Sequence, residues 1–362
     1  MGTINHLKYM PVLKWRQGEY QALLRLNDEE KDVIVPMIEI TPPDFDFETG
    51  KPKKTLDEHF EEFAPRFEKK WGSRLALLDA GLLAPSARMI GGIHGLTWLL
   101  NEARLRAAQI IPVTGLERDT AYQIAVRDAH VADAHGVALR CSLEDATDTD
   151  FSKNVAVLLT QLKIGLTDLD LILDLKSPNF QPIAGLVQLI RGTLNGSSVF
   201  KGARSTTIVG TSFPSSMGEV TGPIQLFPRE EWRLYKALIA AMPAGERIPG
   251  FGDYAIAAPD LPKGDMRILK PSATVRYAVD DGWLIAKGVN VRDHGFGQYR
   301  GCCGTVTGSP QYLGSKFSAG SDYIERCRAG TAKTGNLTTW RWVGTNHHMT
   351  KIVRDLSSFH GP

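Results

Sequence analysis

The chain has 362 residues, 43% of them hydrophobic and 23% charged, with a net charge of +2. That is the composition of a globular protein with ample core, and it excludes a disordered chain and a global basic field for nucleic acid. Its four scattered cysteines, Cys141, Cys302, Cys303 and Cys327, form neither a disulfide framework nor a zinc ribbon and fit a reducing cytoplasm.

In chain order, Tyr9 to Lys14 reads as a first strand and Tyr20 to Leu26 as a helical stretch. Val33 to Ile40 is the second strand, Thr41 to Lys54 a Pro- and charge-rich loop, and Leu56 to Lys70 an amphipathic helix. Strand three is Arg74 to Asp79. It is followed by the Gly-rich loop Gly91 to Gly95, a helix over Gly95 to Ala108, and strand four at Ile110 to Val113. Thr120 to His135 is helical, Gly136 to Arg140 is strand five, and Phe151 to Ile164 is helical. Leu169 to Leu175 is strand six, Ile183 to Leu194 a helix, and Thr206 to Thr211 strand seven. Pro228 to Ala241 starts with proline, which suits a helix N-terminus, and Tyr254 to Ala258 reads as strand eight.

Short apolar strands separated by helices imply right-handed parallel crossovers, and eight such units close a barrel. An open doubly wound sheet is the alternative, but no Gly-x-Gly-x-x-Gly follows any strand. The expected class is therefore α/β: a TIM-like β/α barrel over residues 1–265, with a mixed C-terminal segment over 266–362 packing on it. In that segment, Ala273 to Ala278 and Trp283 to Lys287 flank Asp280-Asp281-Gly282 as a hairpin. Gly288 to Gly320 reads as a long loop holding Cys302-Cys303. Asp322 to Ala329 reads as a short helix, and the tail carries Asn346-His347-His348 at the start of a helix to about Ser357. There is no run of about 20 apolar residues, so no membrane span is expected. Met1 to Tyr9 lacks a signal-peptide core, so a cytoplasmic protein is expected.

The strand ends carry the chemistry. Charge is costly inside a buried strand, yet Glu39, Asp79, Glu117 and Asp174 fall at or just past carboxyl ends, where barrel ligands bind. Convergent carboxylates repel unless a cation or protons sit among them, so Mg²⁺ or Mn²⁺ is one solution. Lys14 and Arg140 also end strands and offer another, direct neutralisation, as well as a clamp for an anionic substrate. Ser212, after strand seven, could donate to a phosphate; the plain alternative is a turn before Pro214. Asp253, placed before the expected strand eight, reads as a turn residue. Arg229, Arg276 and Tyr277 are candidate substrate-binding groups. His347 and His348 are acid/base candidates if the tail reaches the mouth, and otherwise a buried and an exposed histidine.

Several segments carry a resemblance in order and spacing. They are Tyr9-x-Pro11 with Leu13-Lys14, Gly18-Glu19-Tyr20-x-Ala22-Leu23, Pro36-x-Ile38-Glu39-Ile40 and Leu173-Asp174-Leu175. Thr211-Ser212-Phe213-Pro214, Arg229-x-x-Trp232, Gly252-Asp253-Tyr254, Arg276-Tyr277 with Trp283, and Trp340-Arg341 through Asn346-His347-His348 complete the set. Over nearly its whole length the chain resembles the phage T4 beta protein family. That family has no settled activity, so no catalytic role carries over, while its phage and bacterial distribution implies a role in phage–host conflict.

Two functional expectations follow. One is a hydrolase or lyase of a phosphate-containing substrate, such as a nucleotide, at the carboxyl end of the barrel. The other is a non-catalytic binding protein that senses a nucleotide or peptide there, or acts through protein interactions within a defence or counter-defence assembly.

Overall fold

The computed structural model describes residues 4–261 and 268–361. Its Cα packing divides them into two units. The first holds Trp15 and the residues before it, Ile34–Gly210 and Leu234–Asp253; the second holds Arg16–Val33, Thr211–Arg233 and Tyr254 onward. The single boundary expected at 265 lies outside the described residues.

The first unit is a closed barrel of eight parallel strands: β1 (Tyr9–Lys14), β2 (Met37–Glu39), β3 (Ala76–Asp79), β4 (Ile110–Thr114), β5 (Val137–Ser142), β6 (Leu169–Asp174), β7 (Ser205–Gly210) and β8 (Gly250–Asp253). Around the barrel they follow sequence order, with β8 closing on β1. Nearly every strand residue is buried, as expected where a barrel packs on both faces. Register puts Lys14 beside Glu39 and Glu39 beside Asp79, so three charged residues end adjacent strands at one level.

Strand eight corrects the sequence reading. It is Gly250–Asp253, and the β-rich Tyr254 to Ala258 is not a strand; Ala255 takes a left-handed φ of 51°. Glycine weakens a strand by propensity, which hides this one. Here it is needed: a Cβ on Gly252 would lie 2.7 Å from the Met10 carbonyl and 2.8 Å from Val209 Cγ2. Asp253 therefore ends β8 instead of preceding a strand. It is fully buried and accepts a short hydrogen bond from the Tyr9 hydroxyl.

In the second unit, Ile224–Pro228, Gly282–Asn290 and Ser272–Val279 form an antiparallel sheet, with the hairpin turn at Asp280-Asp281. Pro228 thus ends a strand, and the helix begins at Glu230. Phe213, Ile256, Trp283 and Ile285 are among its core residues. The expected glycine-rich loop is largely helical. Tyr299–Thr307 buries Tyr299, Cys302, Cys303 and Val306, a spacing that marks one helical face and that the glycine count masked. The tail is one helix, Leu337–His360, capped by Asn336 through a capping box with Thr339. Asn346 lies inside it and is not its cap; its Oδ1 accepts from Gly320 N at 2.9 Å.

Candidate functional site at the carboxyl end of the barrel

Arg140 is the hub. Its Nε donates to Asp174 Oδ2 at 2.9 Å, and its Nη1 donates to Glu39 Oε1 and Asp79 Oδ2, both at 2.8 Å. Nη2 also lies 2.8 Å from Asp174 Oδ2. One guanidinium thus binds carboxylates from β2, β3 and β6. Its planar fork allows this; a single ammonium could not span the same positions.

The other carboxylate oxygens hold backbone or further cations. Asp79 Oδ1 accepts from Gly81 N at 2.7 Å, and Asp174 Oδ1 accepts from Lys176 N at 2.9 Å. Each aspartate therefore ends its strand, starts the next loop and faces Arg140 at once. Arg118 Nη2 approaches Asp79 Oδ1 at 3.4 Å, and Lys14 Nζ lies 3.5 Å from Glu39 Oε2. That oxygen of Glu39 is buried and receives no hydrogen bond. Three carboxylates face three cations, so the network is balanced in formal charge.

Tyr122, on helix Thr120–Asp133, closes one side. Its hydroxyl donates to the Val113 carbonyl at 2.9 Å and accepts from Ala80 N at 3.1 Å. Burial first, and then the Asp79 charge, hold this phenol well above its ordinary pKa. Neighbouring Thr114 donates to Gln123 Oε1 at 2.8 Å.

The sequence-predicted residues separate cleanly. Lys14, Glu39, Asp79, Arg140 and Asp174 come together. Glu117 is exposed and stands outside this network; its neighbour Arg118 enters instead. Ser212, Arg229, Arg276, Tyr277, His347 and His348 belong to the second unit, where each has local work. Ser212 donates to Glu231 at 2.7 Å and accepts from Glu230 N at 2.9 Å. Arg229 is fully buried, bound to the carbonyls of Val279 and Asp280 and, at 2.9 Å, to Asp355. Arg276 donates to the Ile256 carbonyl at 3.3 Å and lies over the Phe213 ring. Tyr277 accepts from Leu313 N at 3.0 Å.

His347 and His348 are both fully buried, so the expected exposed member of the pair is absent. His347 Nε2 meets the Ala278 carbonyl at 2.8 Å, its Nδ1 meets Ser321 Oγ at 3.1 Å, and its ring stacks on Tyr277. A carbonyl only accepts, so Nε2 carries the proton and Nδ1 accepts from the serine. Burial pushes the His347 pKa down to about 3. His348 Nδ1 accepts from Trp283 Nε1 at 3.4 Å.

Among the described residues, no group of three or more His, Cys, Asp or Glu side chains could hold a metal ion. The four cysteines are free and buried. Among the same residues, no helix is long and apolar enough to cross a membrane.

A barrel with a mixed-charge ring at its carboxyl end defines the class. Within it, the chain belongs to the Beta protein family, whose model matches residues 9–354. Among curated proteins nothing matches. Similar solved structures include triosephosphate isomerase from Bartonella henselae, at 11% identity and a TM-score of 0.34, covering 68% of this chain and 92% of that one. Another is the catalytic module of a family 98 glycoside hydrolase from Streptococcus pneumoniae in complex with the LewisY pentasaccharide. It has 9% identity and a TM-score of 0.38, covering 70% of this chain and 48% of that one. The fold assignment itself rests on the strand order and register.

Proposed function

We propose that the carboxyl end of the barrel binds and hydrolyses a small phosphate-containing anion. The observation that carries this reading is the order of exposure within the ring. The side chains of Glu39, Asp79 and Asp174 are 3% exposed, that of Arg140 15% and that of Arg118 29%. An approaching ligand meets cations, and the carboxylates sit behind them. Arg118, the most exposed of the three cations, would face the phosphate oxygens, while Arg140 and the 8%-exposed Lys14 position the carboxylates. Glu39 Oε2 would take a proton from the attacking water. The water oxygen bonds to phosphorus, the ester P–O bond breaks, and the proton passes to the leaving oxygen.

One observation favours a second, non-catalytic reading. Arg140 spends its contacts on internal carboxylates, so its guanidinium is occupied without a ligand. The carboxyl end of the barrel would then sense an anion or serve a protein partner. In either case a role in phage–host conflict is supported by the family's distribution, and phage plating on expressing and non-expressing cells tests it.

The biochemical test is a thermal-shift screen of nucleotides and phosphate esters, with and without Mg²⁺ or Mn²⁺, on wild type, Glu39→Gln and Asp174→Asn. Stabilisation lost in both variants supports the site. Ligand-dependent stabilisation without turnover selects the second reading. No ligand response in any protein contradicts the site.

A further inference from the structure

A cavity of about 590 Å³ lies in the barrel unit, away from the charge ring in sequence and in strand position. Helix Ile183–Gly196 supplies Arg191, helix Ser198–Gly202 supplies Phe200 and Lys201, and the turn before β8 supplies Glu246 and Arg247. Thr206 lines it from the amino-terminal end of β7, whereas the ring sits at carboxyl ends. The volume is within the roughly 300–1,000 Å³ of small-molecule sites.

Two of the residues that line it each carry an unpartnered donor. Thr206 is 7% exposed, and its buried hydroxyl has no hydrogen-bond partner; the buried Nε of Arg191 also has none. Leaving such groups unmet costs stability, and native structures rarely do so without reason. Three cations line the cavity against one carboxylate. Arg247 is held by the carbonyls of Phe200 and Ala203, which fix it without neutralising its charge. Glu246 accepts from Asn195 at 3.3 Å. Phe200, Leu194, Met242 and Pro249 make the remaining wall apolar.

We infer that this cavity is a second binding site, one that takes a small organic anion with an apolar body. The anionic group accepts from Arg191 Nε and Thr206 Oγ1, and the body packs on the Phe200 side. Nothing in this inference depends on the proposed hydrolysis, and the two sites lie at opposite ends of their strands.

Calorimetry with 2-naphthoate at low salt tests it, with acetate and neutral 2-naphthol as the charge-only and body-only probes. The expected result is 1:1 binding of 2-naphthoate, weaker binding of both controls, and affinity loss of about tenfold in Arg191→Gln. Thr206→Val, which keeps shape and removes an unpartnered hydroxyl, should stay folded and lose about threefold or more. Glu39→Gln should bind 2-naphthoate as wild type does. No binding at millimolar 2-naphthoate, or equal affinity in folded Arg191→Gln and Thr206→Val, overturns the inference.

Discussion

Arg140 and Asp174 meet at two nitrogens, Nε at 2.9 Å and Nη2 at 2.8 Å from one carboxylate oxygen, and this contact anchors the guanidinium between β5 and β6. The same Arg140 then spans to β2 and β3 through Nη1. A side chain fixed this way is a positioning group, and its removal strands buried charge.

Arg140→Met should therefore destabilise the protein by about 3–5 kcal/mol, because three buried carboxylates lose their common partner. Arg140→Lys should recover only part of that, since one ammonium cannot satisfy all three positions. Urea denaturation of the three proteins checks both statements. A loss below about 1 kcal/mol in Arg140→Met would show the ring to be solvent-screened.

Gly81 lies against Arg118: a Cβ there would fall 2.0 Å from Arg118 Nη2. The arginine end is movable, so Gly81→Ala should change stability by less than about 1 kcal/mol. It should still displace Arg118 and lower phosphate-ester affinity by about threefold or more, as Arg118→Met should. Matched affinities in the two variants, measured by titration, are the expected outcome; wild-type affinity in Gly81→Ala would remove Arg118 from the site.

Tyr9 and Asp253 join the two strands that close the barrel. Tyr9→Phe should cost about 1–3 kcal/mol by taking a donor from a buried carboxylate. Thermal unfolding measures it, and an unchanged midpoint would show the contact to be dispensable.

His347 gives a pH signature. Its folded pKa, near 3, is below the unfolded value near 6.5. The unfolded chain therefore binds the extra proton between those values, so stability is full above about pH 6.5 and falls as pH drops toward 3. The slope from this residue is at most about 1.4 kcal/mol per pH unit. His347→Gln should flatten the dependence of stability between pH 4 and 6.5; identical slopes would assign it elsewhere.

The strand ends were legible because a charged residue closing a short apolar run has few structural explanations. Lys14, Glu39, Asp79 and Asp174 follow that pattern and end their strands; Arg140 closes its apolar run too, but β5 continues past it to Ser142. Glu117 failed because it comes three residues after β4, where a loop can turn it outward; the adjacent Arg118 carried the same local signal with the opposite charge. Strand β8 was hidden by glycines that its neighbours require. The histidine tail was misread because Asn346 fits a cap by type, while the operative cap is ten residues earlier at Asn336. Nothing local to one strand marks Arg140 as the hub, because its three partners come from residues far apart in the chain.

The most direct measurement is phosphate release from a panel of phosphate esters by wild type and Glu39→Gln, with circular dichroism confirming that both are folded. Turnover is expected in wild type, with a loss of about 10²-fold or more in Glu39→Gln, the size of a general-base contribution. Undiminished turnover in folded Glu39→Gln, or none in wild type with any ester, would contradict it.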